Sequence, residues 1–290
     1  KPDFIIIGAM KSATSSLHTQ LAMQPGVFMS TPKEPNFFSN DEQYRKGEDW
    51  YCSLFEMADK TDLCGESSTH YTKLPYYPDT VKRMADSLEK PKLIYVMRHP
   101  VDRLVSHYIH QWTQNVIKCD INEAIDRYDE LIAYSSYNMQ LQPYFEQFGC
   151  ENVLPVFMEA IRSNQQQELT RIADFIGYRG EMNWFDDLAS QNVSQERVRA
   201  FAGYSWLVES QFMTCIRKAL IPKGLRQMIK RQFSMQQRPV INAAHLANLT
   251  RVFDKDLAEL GKKLNVKIDC ANYSRIVTDS KHDLRFEERN

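Results

Sequence analysis

The feature that most constrains the fold is an apolar run near the start of the chain that leads directly into a polar loop. The run Phe4-Ile5-Ile6-Ile7 is mostly β-branched, which is typical of a buried strand in a parallel sheet. The loop after it consists mainly of small and hydroxylated residues and carries one lysine, Lys11. We predict that a helix follows, with Ser15 or Ser16 as its N-cap. Its apolar residues share one face: Leu17, Leu21 and Ala22.

A strand, a small-residue loop and a helix N-terminus together form an anion site, because free backbone N–H groups and the positive end of the helix dipole converge there. The spacing differs from that of a Walker A loop, which places its lysine directly before the hydroxyl residue that opens the helix. Lys11 comes earlier, and Ala13 stands where a late glycine is expected. We expect alanine to fit there with a negative φ. The alternative interpretation is a buried strand–turn–helix unit without a ligand.

Composition limits the remaining classes of function. The chain has 290 residues, 43% hydrophobic and 25% charged, which is ordinary for a globular protein of one domain. Its net charge of −1 excludes a global basic field for nucleic acid or an anionic membrane. The apolar runs are strand-sized, so no transmembrane helix is expected. The six cysteines form no C-x-x-C pair, which argues against zinc and favours free thiols in a reducing compartment.

Strands and helices are predicted to alternate along the chain, which favours an α/β fold with a parallel sheet between two layers of helices. Further strands are predicted at the start of segment 63–71, at 92–97 and at 153–157. Pro155 argues against a central position for the last of these. Helices are predicted from Pro100 onward and at 41–57, 79–88, 120–129, 135–148, 165–176 and 242–264. Segments 32–38 and 183–199 are predicted loops.

A second strand–helix junction begins at Arg98, which is predicted to leave the carboxyl end of a strand, where open α/β sheets bind ligands. Ser106 lies about two helical turns further on. The segment Arg98–Tyr108 resembles the R-[DNH]-P-x-[DE]-R-x-x-S-x-[YF] pattern of sulfotransferases that use 3′-phosphoadenosine-5′-phosphosulfate (PAPS). Apart from Ala13, the segment Lys11–Leu17 resembles the K-x-G-T-[ST]-[ST]-L loop of that family. Because both motifs occur in order at strand–helix junctions, the resemblance is specific.

The resemblance implies a clamp for the two phosphates of PAPS. In such a clamp the first loop holds the 5′-phosphate through backbone N–H groups and the hydroxyls of Thr14 and Ser15. Lys11 meets the bridging oxygen as charge develops there, and Arg98 and Ser106 grip the 3′-phosphate. No metal is expected, because donors already surround the leaving group. The implied donor-binding residues are Lys11, Ser12, Ala13, Thr14, Ser15, Ser16, Arg98, Ser106 and Arg199.

Other segments are similar to the heparan-sulfate-like and bacterial small-molecule branch of the family: 33–38, 65–71, 137–145, 153–159 and 192–199. In that branch the last segment helps to close over the adenosine phosphate, which implies a role for Arg199; a solvated charged loop is the alternative. Ser67 stands where the branch usually has a second active-site lysine. This departure and the near-neutral net charge favour an acceptor with less charge than a polyanionic glycan.

The acceptor hydroxyl needs a general base. The resemblance implies Glu34, because the matching glutamate serves as the base in the carbohydrate branch; a surface carboxylate paired with Lys33 is the alternative. His70 is the second candidate, since the ordinary pKa of an imidazole suits proton transfer near neutral pH. A packing role is the alternative for His70. The predicted catalytic residues are thus Lys11, Glu34 and His70.

The sequence is identified as a member of the PAPS-dependent sulfotransferase family, with one P-loop-like α/β domain over residues 1–290 that is complete or excised from a longer polypeptide. We expect the acceptor to be a hydroxylated small molecule, a lipid or a carrier-bound acyl chain, the last with an acyl carrier protein as partner. A glycan sulfotransferase, a P-loop kinase and a catalytically silent nucleotide-binding domain stay open as alternatives. The expected location is the cytoplasm, and a Golgi or other secretory location stays open because the chain begins without methionine.

Overall fold

A computed structural model describes residues 1–186, 235, 237–279 and 284–287. In these residues five parallel strands form one sheet in the order β2-β3-β1-β4-β5. The strands are β1 Phe4–Gly8, β2 Val27–Met29, β3 Leu63–Ser67, β4 Lys92–Met97 and β5 Val153–Phe157. The predicted parallel α/β fold is therefore confirmed, and the carboxyl ends of all five strands meet at one edge of the sheet.

Helices connect and follow the strands, and a 3-10 helix, Thr69–Thr72, comes directly after β3. The α-helices are α1 Thr14–Ala22, α2 Asp41–Tyr44, α3 Gly47–Ser53, α4 Thr80–Ser87, α5 Pro100–Thr113, α6 Ile121–Arg127, α7 Glu130–Ala133, α8 Tyr137–Phe148, α9 Met158–Ser163, α10 Gln165–Ile176, α11 Ala243–Lys263 and α12 Tyr273–Thr278. The single helix predicted over 41–57 is wrong, since Gly47 at φ 82° separates α2 from α3. A left-handed residue interrupts the helical hydrogen bonds.

Both faces of the sheet are buried, as the continuous apolar run of β1 predicts. Ile5 and Ile7 point to one face, where they join a core with residues of α3, α4, α8 and α11. Phe4 and Ile6 point to the other face and join a core with residues of α1 and α10. Alternate side chains of a strand face opposite sides, so β1 takes part in both cores. Ala22, which was predicted to lie on the buried face of α1, is exposed.

The edge position of β5 agrees with the prediction made from Pro155, which lies opposite Tyr95 of β4. Proline donates no backbone hydrogen bond and is accommodated where a strand has a neighbour on one side only.

The long helix α11 is attached to the sheet domain by the half-buried carboxylate of Asp256. Asp256 accepts hydrogen bonds from the backbone N–H groups of Asn138 (2.9 Å) and Met139 (3.0 Å) at the start of α8. It thus caps α8 from another element, because the first N–H groups of a helix lack intrahelical partners. In the ranges that the structure describes, no helix combines the length and the apolar character needed to cross a bilayer.

Candidate active site

A cavity of about 870 Å³ lies at the carboxyl edge of the sheet. Residues that follow successive strands line it: Glu34 after β2, His70 after β3, Lys11 after β1, Arg98 after β4 and Met158 after β5. The strand order therefore arranges these groups in a row. We call the part lined by Glu34, Thr69, His70 and Lys73 the β3 end, and the part lined by Arg98, Ser106, Arg162 and Trp184 the β4 end. Lys11 lies between them.

The loop between β1 and α1 has a backbone that the sequence did not predict. Helix α1 begins at Thr14, and its N-cap is Ala13 at φ 68°, with no side-chain capping bond. The predicted caps Ser15 and Ser16 are therefore wrong, and so is the expectation of a negative φ at Ala13. The first-turn N–H groups of α1 receive no side-chain cap and are available to an anion.

Gly8 allows the 3-10 helix after β3 to approach β1. A Cβ atom at Gly8 would lie 2.0 Å from Oγ1 of Thr72 and 2.9 Å from the ring of Tyr95. The Thr72 hydroxyl donates a hydrogen bond to the carbonyl of Ile7 (2.8 Å). This close packing brings the residues that follow β3 beside the loop that carries Lys11.

A buried arginine contacts the loop between β1 and α1. Arg103 of α5 is fully buried and donates hydrogen bonds to Ser135 Oγ (2.6 Å), the Leu131 carbonyl (3.0 Å) and the Met10 carbonyl (3.4 Å). Burial lowers its pKa to about 10, so the guanidinium stays charged at neutral pH. Burial, Arg98 and Arg103 also lower the pKa of Lys11. The sequence placed Arg103 in a motif but gave it no role.

The β4 end contains the arginines Arg98 and Arg162, with the carboxylates of Asp102 and Glu159 nearby. Arg98 and Ser106 both line the cavity, and burial lowers the pKa of Arg98. Nε of Arg98 is buried without a hydrogen-bond partner in the described residues. Arg162 and Arg238 are close enough to lower the pKa of Arg98 further. No sequence motif pointed to these two arginines, which come from distant parts of the chain.

Trp184 lines the cavity at the β4 end, and three glutamines hold its segment in place. Gln20 of α1 exchanges hydrogen bonds with the backbone of Phe185 at 2.7 and 2.9 Å, and Gln24 does so with Asn183 at 2.9 and 3.0 Å. Gln166 accepts from the backbone N–H of Trp184 (3.0 Å). Because α1 holds this segment, one helix positions both the anion loop and an aromatic wall.

Glu34 reaches the cavity from a loop with left-handed backbone, φ 59°. Its Oε1 pairs with Lys33 Nζ (2.8 Å) and its Oε2 accepts a hydrogen bond from Thr69 Oγ1 (3.3 Å). Burial alone would raise the pKa of Glu34, but the hydrogen bond and charge of Lys33, helped by His70 and Lys73, lower it overall. Glu34 is thus both paired with Lys33 and exposed to the cavity, and its carboxylate is ionised at neutral pH.

A buried carboxyl network fixes that loop. Glu66 of β3 is fully buried and accepts hydrogen bonds from the hydroxyls of Tyr51 and of Ser68 (2.6 Å). The Ser68 hydroxyl in turn accepts from the backbone N–H of Asn36 (3.0 Å), and the N–H of Glu34 donates to the Ser67 carbonyl (2.9 Å). The segment 33–38 is therefore held against β3 at two points.

His70 lies beside Glu34, with its ring stacked on Tyr77 at 5.0 Å between centroids. Burial, and then the charge of Lys73, lower the pKa of His70 to about 4, so the imidazole is neutral at pH 7. Its Nδ1 is buried and has no hydrogen-bond partner among the described residues. Burial together with Lys11 and Lys73 likewise lowers the pKa of His110, another cavity residue, to about 4.

The other predicted residues differ in whether they reach the cavity. Ala13, Thr14, Ser15 and Ser16 line the cavity together with Lys11. Ser12 belongs to the same loop, but its side chain is fully buried, and its Oγ has no partner in the described residues. Ser67 is fully buried and bonds His18 Nδ1 (2.9 Å), while Lys73, which the sequence did not single out, lines the cavity. Arg199 lies outside the described residues.

Comparison with known proteins identifies relatives of this arrangement. A family model described as "Sulfotransferase domain" matches residues 1–253. The human bifunctional heparan sulfate N-deacetylase/N-sulfotransferase 2 is 27% identical over 211 residues, which cover 64% of this chain and 24% of that protein. The bovine protein of the same name is 35% identical over 116 residues, 38% of this chain and 13% of its own length. The chain thus spans about a quarter or less of these curated relatives.

Two solved structures have a similar fold. A sulfotransferase from Alicyclobacillus acidocaldarius aligns with a TM-score of 0.55 and 26% identity, over 73% of this chain and 97% of its own. A sulfotransferase domain from the curacin biosynthetic pathway aligns with a TM-score of 0.50 and 14% identity, over 90% of this chain and 98% of its own. At that identity the second likeness concerns the fold alone.

Proposed function

The chain belongs to the sulfotransferase domain family, and we propose that it transfers a sulfuryl group from PAPS to a hydroxyl group of an acceptor. The observation that carries the proposal is the row of groups along one cavity: Arg98 and Ser106 at one end, Lys11 in the middle, Glu34 and His70 at the other. A donor held by the first three groups would present its sulfuryl group to the last two.

The residues present fit a nucleotide with two phosphate groups. The cavity of about 870 Å³ is large enough for one. Nε of Arg98, a cavity residue, is a buried donor without a partner in the described residues, and an anion would satisfy such a group. We assign the 5′-phosphate to the N-terminus of α1, the 3′-phosphate to Arg98 and Ser106, and the purine face to Trp184, since aromatic rings stack on bases.

In the transfer step one bond breaks and one forms. The S–O bond to the 5′-phosphate breaks, its electron pair stays with the leaving nucleotide, and a new S–O bond forms to the acceptor oxygen. Lys11 donates a hydrogen bond to the bridging oxygen as negative charge develops there. The acceptor proton passes to Glu34 or to His70. That no metal takes part stays a prediction.

The two candidate bases differ in chemistry. Glu34 is ionised, but both carboxylate oxygens already have partners in Lys33 and Thr69. His70 is neutral, and its Nδ1 has no hydrogen-bond partner in the part of the chain that the structure describes. A lowered pKa keeps each group in its proton-accepting form at pH 7 but makes it a weaker base. Both therefore remain candidates, and their variants have to be compared.

The acceptor in this proposal carries a hydroxyl group. We retain a hydroxylated small molecule, lipid or carrier-bound acyl chain, with an acyl carrier protein as the partner in the last case. A glycan is the second candidate, because the names of the curated relatives refer to heparan sulfate and because Lys73 adds positive charge to the β3 end. A single domain over residues 1–290, a role for Arg199 and a cytoplasmic location also stay predictions.

Binding and transfer measurements test the proposal. We expect calorimetry to give tight binding of 3′-phosphoadenosine-5′-phosphate (PAP) and weak binding of ATP and ADP. Tight binding of ATP with none of PAP would favour the kinase alternative and contradict the proposal. Radiolabelled PAPS with a mixed panel of hydroxylated lipids, phenols and glycans should then yield labelled product. PAP binding without transfer to any acceptor in the panel would favour the catalytically silent domain.

A further inference from the structure

Lys73 is a buried cation at the β3 end that has no assigned role. It directly follows the 3-10 helix Thr69–Thr72 and lines the cavity, with only 8% of its surface exposed. Among the described residues its ammonium group makes no hydrogen bond or ion pair. The ring of Tyr134 lies below it, with Nζ 5.9 Å from the ring centroid. An ammonium group in this position lacks the partner that a buried charge normally has.

The backbone on both sides of Lys73 is held by hydrogen bonds. The Thr72 hydroxyl bonds the carbonyl of Ile7 in β1 (2.8 Å). On the other side, Gln140 of α8 accepts from the N–H of Leu74 (2.8 Å) and donates to its carbonyl (2.9 Å). The base of the Lys73 side chain is therefore fixed relative to the sheet, which favours a positioned charge over a solvated surface lysine.

The charges around Lys73 leave its positive charge uncompensated. The charged or titratable groups that face it from the packed elements are Glu34, His70, Arg103, His107, His110 and Tyr134. Only Glu34 is negative at neutral pH, and its carboxylate is already paired with Lys33 at 2.8 Å. Burial lowers the pKa of Lys73 to about 8, with Glu34 opposing the shift, so most of its ammonium groups carry a charge at pH 7.

The place of Lys73 in the row separates it from the groups assigned to the nucleotide. Arg98 and Arg162 follow β4 and β5, and Lys11 follows the central strand β1. Lys73 follows β3, on the far side of Lys11 from the proposed 3′-phosphate site. An anion bound there would lie next to Glu34 and His70, where transfer to the acceptor is proposed to occur.

We propose that Lys73 binds an anionic oxygen group that the substrates bring to the β3 end of the cavity. The group is either the sulfuryl group of the donor or an acidic group of the acceptor. The proposal rests on the proposed function for the identity of the donor. It also changes the expectation of an acceptor with little charge, which was based on Ser67. Lys73, six residues further along the chain, restores positive charge to the β3 end.

The test compares Lys73→Met with the wild-type protein, using PAP, PAPS and inorganic sulfate as probes. PAP has no sulfuryl group, so its affinity should not change, which also shows that the variant folds. Inorganic sulfate should bind the PAP-saturated wild type, because PAP fills both phosphate sites and leaves the β3 end open. We expect Lys73→Met to weaken this sulfate binding about tenfold or more, the usual effect of losing one charge-assisted hydrogen bond.

The two sources of the anion give different results. If Lys73 holds the sulfuryl group, Lys73→Met lowers the affinity for PAPS about tenfold relative to PAP, and PAPS blocks sulfate binding. If Lys73 holds an acidic group of the acceptor, the PAPS-to-PAP affinity ratio is unchanged and sulfate still binds the PAPS-saturated wild type. Lys73→Met with unchanged affinities for both sulfate and PAPS, or a wild type that binds no sulfate together with an unchanged PAPS-to-PAP ratio, would overturn the proposal.

Two further variants exclude a merely structural effect. Lys92→Met removes another lysine, the first residue of β4, which lies at the amino ends of the strands and donates a hydrogen bond to Asn152 (3.1 Å). This variant should change none of these affinities. Lys73→Arg should restore anion binding. In the wild type that binding should weaken as the pH rises through about 8, as the ammonium loses its proton, and in Lys73→Arg it should persist. If wild-type protein fails to bind PAP, the proposed function fails as well; if only Lys73→Met is without effect, the proposed function stands.

Discussion

The two ends of the cavity are built in different ways. The β4 end and the Lys11 loop come from strand–helix junctions, where short continuous motifs place backbone N–H groups, arginines and a serine. The β3 end is assembled from a left-handed loop, a 3-10 helix and the residue that follows it, and it depends on Glu34, Thr69, His70 and Lys73.

Because the two ends are built differently, they should respond differently to pH and to mutation. Backbone N–H donors do not titrate, and arginines keep their charge over the whole physiological range. At the β3 end, burial holds the pKa of His70 near 4 and that of Lys73 near 8. We therefore expect PAP affinity to vary little between pH 6 and pH 8, while transfer weakens as the pH rises through about 8, where Lys73 loses its proton, and again as it falls towards 4, where His70 gains one. Four experiments test the comparison, beginning with the one that should show the largest effect.

Lys11→Met should abolish most of the transfer, because Lys11 lies where the two ends meet. Loss of one donor to a developing negative charge lowers the rate by about 10²- to 10³-fold. PAP affinity should fall much less, since the 3′-phosphate site is intact. Single-turnover rates with labelled PAPS provide the measurement, with Lys92→Met as control. A similar loss in rate and in PAP affinity would show that Lys11 acts in binding only.

Glu34→Gln and His70→Gln should affect the β3 end alone. The variant that removes the base should lower the rate about 10²-fold or more while the affinity for PAP stays unchanged. The other variant should change the rate only a few-fold. Rates and calorimetry on both variants at pH 7 distinguish them. If both variants lose PAP affinity, the two ends are not independent and the comparison fails.

Arg98→Met should affect the β4 end alone. Its guanidinium is assigned to the 3′-phosphate, so the variant should lose about tenfold or more of its preference for PAP over adenosine 5′-phosphate, which lacks that group. Competition binding of the two nucleotides measures this preference. The KM for the acceptor should not change. An unchanged preference would place the 3′-phosphate elsewhere, and Arg162→Met would then be the next variant to measure.

Ala13→Gly should have the smallest effect. Ala13 has φ 68°, and a left-handed conformation costs an L-residue about 1–2 kcal/mol, whereas glycine adopts it freely. The extra freedom of glycine in the unfolded chain offsets part of the gain. We expect the free energy of unfolding to rise by up to about 1 kcal/mol in urea titrations. Ala22→Gly, at an exposed helical position, should give no increase, and a lower stability for Ala13→Gly would contradict the observed backbone.

Much of the fold could be predicted from the sequence, because the relevant signals are local. The apolar runs of β1 and β4, the proline that opens α5 and the glycine after α10 each determine an element from its own residues. The prediction of one helix over 41–57 was wrong because Gly47 adopts a left-handed conformation that periodicity does not reveal. The capping serines were wrong for the same reason, since a left-handed Ala13 starts α1 earlier.

The residues of the candidate site likewise divide into those with a local sequence signal and those without one. Lys11, Arg98 and Ser106 could be predicted because the chemistry of an anion site lies in short segments, and the structure brings all three to one cavity. Arg162, Trp184 and Lys73 could not, because no pattern near these residues indicates a ligand. Their positions follow from other elements: α10, Gln20 of α1 and Gln24 just after α1 for Trp184, and Gln140 with Thr72 for Lys73.

Local residues alone specify the strand–loop–helix unit at the start of the chain, the second anion motif after β4 and the family to which both motifs point. Only the tertiary structure decided what faces the Lys11 loop from the other side. The strand order places β3 beside β1, and Gly8 lets the 3-10 helix pack against β1, which brings His70 and Lys73 to the cavity. Local residues can specify a backbone cradle, because its donors are consecutive, whereas a set of charges from separate segments depends on how those segments pack.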